Sequence, residues 1–137
     1  MLNNNNWELD NVYLQVVVDY HKTNVTFQKR PITTMLIETV QHVCSIPIGI
    51  SFVLVNFSLL FISGLLVYKL STFFKQTNLI CAINTAVYFM CFSNVFMFFS
   101  PIYSYDEPLQ YTFVFLSLLL FLKQNWIGYI ITFSVAI

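Results

Sequence analysis

The acidic side chains fall into two groups with chemical potential. Glu8, Asp10 and Asp19 lie near the start of the chain, and Asp106 and Glu107 stand side by side ahead of Pro108. A carboxylate at a membrane–water boundary can take a proton from an acceptor hydroxyl as a general base. Glu8 and Asp10 flank a segment with Trp7 and Tyr13 and are candidates for such a role. The simpler reading of Glu8 and Asp10 is a solvated acidic tail, and that of Asp106–Glu107 is a helix cap. Arg30, directly before Pro31, offers a planar fork for a phosphate, or an anchor at lipid headgroups. His21 and His42 show no ligand spacing. Cys44, Cys81 and Cys91 form neither a CxxC pair nor a zinc pattern, so no metal is expected. In apolar runs such thiols behave as small hydrophobes.

The elements that would hold these groups are set by where charge is missing. The chain is 58% hydrophobic and only 9% charged, against about 25% in a soluble domain. Thirty consecutive uncharged residues separate Glu38 from Lys69, and another thirty separate Lys75 from Asp106. A spanning helix needs roughly 20 apolar residues, so each stretch is long enough. The expected fold class is therefore all-α: a polytopic membrane protein with two full transmembrane helices, two shorter apolar helices and an N-terminal amphipathic interfacial helix. The spans are expected at 46–68, with Pro47 in the first turn, and at 79–99, closed by Pro101. Asn56 is the only strongly polar residue of the first span, and Asn84 and Asn94 on the second are expected to join helices inside the bilayer.

Residues 1–45 are expected to form a polar segment outside the cytoplasm. Val12 to Tyr20 reads as a short strand or an interfacial helix, and Lys22 to Arg30 as a turn. After Pro31, residues Met35, Leu36, Thr39, Val40 and Val43 recur at helical spacing, as in a helix lying on a membrane surface. No continuous apolar leader precedes the first span, which is expected to act as the insertion signal. Residues 46–137 make the transmembrane region. Pro108 opens a third helix to Leu122, about 21 Å over residues 109–122 at 1.5 Å per residue. Lys123-Gln124-Asn125 reads as an interfacial turn, and a fourth apolar helix starts at Trp126. That helix is still apolar at Ile137, so the chain is expected to be part of something longer. The lysines at 69, 75 and 123 favour the cytoplasm, which puts residues 1–45 and the Asp106–Glu107 loop together on the opposite side.

The order of these features resembles the amino-terminal part of the GT-C glycosyltransferases, membrane enzymes that use lipid-phosphate-linked sugars. Trp7-Glu8-Leu9-Asp10-Asn11-Val12-Tyr13-Leu14 is similar to the acidic entry of that superfamily, and Gln28-Lys29-Arg30-Pro31-Ile32 to the basic-proline segment that often follows it. Ser100-Pro101, then Asp106-Glu107-Pro108-Leu109 and an apolar helix, resembles its later loop, as in the GPI mannosyltransferase branch. The chain departs from the pattern in having no transmembrane helix before Asp10, and Leu14 where a second Tyr is usual. The resemblance implies Asp10 as the catalytic carboxylate, with Arg30, Asp106 and Glu107 binding substrate. It implies a polyprenyl-phosphate sugar as donor, beside membrane lipid as the general partner; the cofactor is unknown from the sequence.

Two functions follow as expectations. One is a fragment of an integral membrane glycosyltransferase, mannosyltransferase-like and inactive alone. The other is a small non-enzymatic membrane protein or subunit that packs against a larger partner. Six basic and six acidic residues leave no net charge, so nucleic acid is not expected as a partner. A transporter fits less well, because neither long span carries a mid-membrane charge. The expected location is the cytoplasmic membrane of a bacterium or the endoplasmic-reticulum membrane of a eukaryote.

Overall fold

A computed structural model describes residues 11–23, 32–91 and 107–136, and every element among them is a helix. In chain order these are α1 (Asn11–Thr23), α2 (Ile32–Cys44), α3 (Ile48–Phe73), α4 (Asn78–Met90), α5 (Glu107–Leu122) and α6 (Trp126–Ala136). They divide into two compact units, Met1–Asn56 and Phe57–Ile137.

In the first unit α1 and α2 pack on each other. The open question over Val12 to Tyr20 resolves as helix. Val17, Val18 and His21 are buried, a three-to-four-residue spacing that only a helix brings to one face. On α1, Gln15 Nε2 donates to Asp19 Oδ1 at 3.0 Å, one turn away. The inner face of α2 carries Thr33, Thr34 and Ile37. The apolar residues read as an amphipathic stripe, Met35, Leu36 and Val43, are exposed, whereas Val40 is half-buried. An ion pair between Lys22 and Glu38 ties the two helices.

The long helix α3 has 26 residues, about 39 Å at 1.5 Å per residue. It is the one described helix long and apolar enough to cross a membrane. Pro47 precedes it, and the Pro47 carbonyl accepts from Ile50 N and Ser51 N at 3.1 Å each. Proline suits that place because the N–H it lacks would have had no helical partner. The expected end at Tyr68 is passed. The helix runs on to Phe73, because Leu70 and Ser71 are also buried, and Lys69 leaves its head on the exposed side. Phe52, Asn56, Leu59, Ser63, Leu66 and Leu70 are all buried. Their steps of four and three residues trace the seam along which helices interdigitate.

In the second unit α4 covers the start of the expected second span. Its described part, 13 residues, is about 20 Å long; the remainder of that span, with Asn94, lies outside the described residues. Thr77 caps α4, its hydroxyl accepting from Ile80 N at 3.4 Å. The helix α5 opens at Glu107, one residue before Pro108, as the proline and the acids led one to expect. Lys123-Gln124-Asn125 is a turn, and α5 and α6 pack along each other. Asn125 then caps α6, its Oδ1 accepting from Gly128 N at 3.0 Å. Leu66, Leu70 and Leu119 form a buried cluster with Phe115, Leu116 and Leu122 around it.

The turns share one device. Lys75 (φ 58) and Gln124 (φ 58) sit in the left-handed region just past α3 and α5. In each case the next N–H reaches back five residues, Gln76 N to Ser71 O at 3.3 Å and Asn125 N to Leu120 O at 2.9 Å. The residue at positive φ itself donates three residues back, Lys75 N to Thr72 O and Gln124 N to Phe121 O, both at 2.9 Å. This pair of bonds satisfies the last carbonyls of a helix and usually falls to glycine.

Candidate functional site

Of the four residues expected at a site, Asp10, Arg30 and Asp106 lie outside the described residues. Glu107 is half-buried in the first turn of α5. There the free N–H groups and the helix dipole favour a negative charge. Its Oε2 is buried and has no hydrogen-bond partner among the described residues. No group of three or more His, Cys, Asp or Glu side chains able to hold a metal is found among the described residues.

The structure does bring together a polar and aromatic cluster in the second unit, built from side chains on α3, α4 and α5. The Ser63 hydroxyl is fully buried and donates to Leu60 O at 2.7 Å within its own helix. It lies 2.6 Å from the Tyr88 hydroxyl, which therefore donates to it across α3 and α4. The Tyr88 ring meets Tyr111 and Phe115 of α5 edge-on, with centroids at 6.1 and 5.5 Å. Thr112 Oγ1 reaches Leu59 O of α3 at 3.1 Å and Pro108 O of its own helix at 2.9 Å. Asn84 Nδ2 donates to Ser71 Oγ at 3.2 Å. Three polar side chains on α4 and α5 thus reach groups on α3.

Gly64 belongs to the same cluster. A methyl group there would collide with the Phe89 ring, so the missing Cβ is what lets α4 approach α3 closely. Asn84 joins helices as its sequence position suggested. Asn56 turns its Nδ2 back to Phe52 O of its own helix at 2.9 Å, and its buried Oδ1 has no partner among the described residues. The roles of Ser63, Tyr88 and Thr112 were not read from the sequence. The available signal was a hydroxyl inside an otherwise apolar run, where the hydroxyl must bond to its own turn or to a neighbouring helix.

Two apolar surfaces flank the cluster. On α4, Leu79, Ile83, Ala86 and Met90 are exposed in steps of four, three and four residues, with Ala82 beside them; Leu79 is 71% and Met90 77% exposed. Between α5 and α6 lies an open groove of about 520 Å³ lined by Phe113, Ser117, Leu118, Phe121, Tyr129 and Phe133. Its wall is ordered by ring contacts, Tyr129 stacked on Phe133 at 5.8 Å and tilted on Phe121 at 5.7 Å.

Set beside known proteins, the chain matches no family model, no curated protein and no solved structure.

Proposed function

We propose that this is an integral membrane protein that acts by helix packing, as a non-enzymatic subunit docked on a larger membrane partner. The observation that carries the reading is the polarity of α3. Its buried side holds Ser51, Asn56, Ser63 and Ser71 among apolar neighbours such as Phe52, Val55, Leu59 and Leu66, while its exposed side carries Ile50, Leu54, Phe57, Phe61 and Leu65. A helix in water buries its apolar stripe and exposes its polar one. A helix in lipid gains nothing by hiding leucine, and associates through small residues and hydroxyl bonds. The large apolar side chains exposed along α3, with its serines and Asn56 buried, fit the second rule. The exposed 4-3-4 seam of α4, with Ala82 and Ala86 on it, supplies the face for a partner helix.

The first test is extraction. The full chain is expected to stay with membranes through alkaline carbonate and to be released only by detergent; release by carbonate overturns the membrane reading. The second test is the size of the detergent-extracted complex. Ala86→Trp is expected to reduce it to the 16.0 kDa chain plus its detergent belt, and an unchanged complex removes α4 as the docking face.

A glycosyltransferase reading is favoured by one observation, the buried oxygen of Glu107 that has no partner among the described residues, at a position where the sequence resemblance expects a substrate-binding acid. In that reading Asp10 is the general base toward the acceptor, and Arg30, Asp106 and Glu107 bind the lipid-phosphate sugar. Transfer of sugar from a polyprenyl-phosphate donor in membranes containing the chain, abolished by Asp10→Asn and sharply lowered by Glu107→Gln, tests it. Transfer that persists in both variants refutes it.

A further inference from the structure

We infer that the α5–α6 groove seats one acyl chain of an anionic phospholipid, whose headgroup is held at the Lys123–Trp126 turn. The inference rests on the membrane reading above. The groove has a volume inside the range of sites that take a small organic ligand. Its lining is hydrocarbon and aromatic ring except for the hydroxyls of Ser117 and Tyr129. The groove is open, Val114 also lines it, and Ile130 and Ile131 of α6 are exposed as well. In a bilayer such an open apolar groove meets lipid tails, and water does not fill it.

The turn that joins α5 and α6, Lys123-Gln124-Asn125, is polar, so in a bilayer it sits at the headgroup level rather than in the core. It carries Lys123, the only cation after Lys75 in the chain. Lys123 is exposed, two residues past Phe121 of the groove wall. Trp126 lies edge-on against Phe121 at 5.4 Å, with its ring exposed where indoles favour the interface. A tail slot ending in a lone ammonium and an indole matches an amphiphile with one anionic head. The nearest described acid along the hairpin, Glu107, is at the other end of α5, about 24 Å away by helix rise.

The test uses the full chain with Trp7→Phe, which leaves Trp126 as the sole tryptophan of the two present. The protein is reconstituted in phosphatidylcholine vesicles containing tail-brominated phosphatidylglycerol or tail-brominated phosphatidylcholine. Quenching of Trp126 by the brominated anionic lipid is expected at an approximately fivefold lower mole fraction, the preference one lysine gives toward anionic lipid. Lys123→Gln is expected to erase that difference. Ser117→Phe, which fills the groove floor, is expected to raise the midpoint for both lipids while the circular-dichroism helix signal stays unchanged. Equal midpoints in the parent protein, a preference that survives Lys123→Gln, or midpoints indifferent to Ser117→Phe each overturn the inference. Failure of the protein to sediment with vesicles, with no quenching by either lipid, would instead remove the membrane reading on which it stands.

Discussion

Tyr88 is the residue where three helices meet, and two substitutions separate its hydroxyl from its ring. Tyr88→Phe removes the bond to Ser63 and leaves the edge contacts with Tyr111 and Phe115 in place. Ser63 keeps its bond to Leu60 O at 2.7 Å, so no buried hydroxyl hydrogen is orphaned. An interhelical hydrogen bond in a membrane contributes about 0.6 kcal/mol on average and at most about 1.7. The expected cost of Tyr88→Phe is therefore about 0.6 kcal/mol, roughly a threefold change in the unfolding equilibrium. Tyr88→Ala also deletes two edge-to-face pairs worth about 0.5–1.5 kcal/mol each. It opens a void as well; a large aromatic truncation costs about 3–5 kcal/mol with these losses included, and the half-buried ring places Tyr88→Ala at the low end. The expected total is about 3 kcal/mol. Reversible unfolding of the full chain in mixed micelles, followed by far-UV circular dichroism, measures both. A Tyr88→Phe cost equal to that of Tyr88→Ala would mean that the hydroxyl dominates and the aromatic junction contributes little. A Tyr88→Ala cost below about 1 kcal/mol would refute the packing of α4 and α5 around this ring.

Other substitutions probe separate features in the same unfolding assay. Gly64→Ala is expected to destabilise by about 1–3 kcal/mol, because the added methyl drives Phe89 off α3; a neutral result would mean that α4 gives way freely. Gln124→Gly is expected to stabilise by about 0.5–1 kcal/mol by relieving the left-handed backbone at that turn, and Gln124→Val to destabilise, with equal effects of the two contradicting the turn geometry. Asn56→Leu removes a buried acceptor that has no partner among the described residues and is expected to be neutral or stabilising by about 1 kcal/mol. A loss above about 2 kcal/mol would show that Oδ1 is bonded in the working protein. Glu38→Gln, at a partly exposed ion pair with Lys22, is expected to cost under about 1 kcal/mol and to cost less still in high salt.

The sequence made the helices legible where charge and proline punctuate them. Pro47, Pro108 and the Lys123-Gln124-Asn125 turn fall where helices begin or end, because a missing N–H and a polar triplet act locally. The end of α3 was read short at Tyr68, because Lys69 looks like an interface marker. Burial of Leu70 and Ser71 is a long-range fact that no local pattern carries. Val12 to Tyr20 stayed ambiguous because β-branched residues fit strand and helix alike, and the buried trio Val17, Val18 and His21 decides it. The second long span is represented here by α4 alone, a shorter apolar helix. Among the expected site residues only Glu107 falls within the described chain. The polar cluster escaped sequence reading because a lone Ser, Thr or Tyr in an apolar run has no spacing signature. Its partner is chosen by which helix packs opposite.

The hairpin of α5 and α6 has a kinetic consequence. Its two helices are joined by three residues, so the contacts nearest the turn are local in sequence and the rest follow by zipping away from it, a low-contact-order arrangement that closes fast. Residues 107–136 would therefore enter a membrane as one paired object, with the backbone of each helix already bonded and the polar turn trailing at the surface. Lengthening that turn with a flexible insert would leave the folded contacts untouched while slowing the step that forms them.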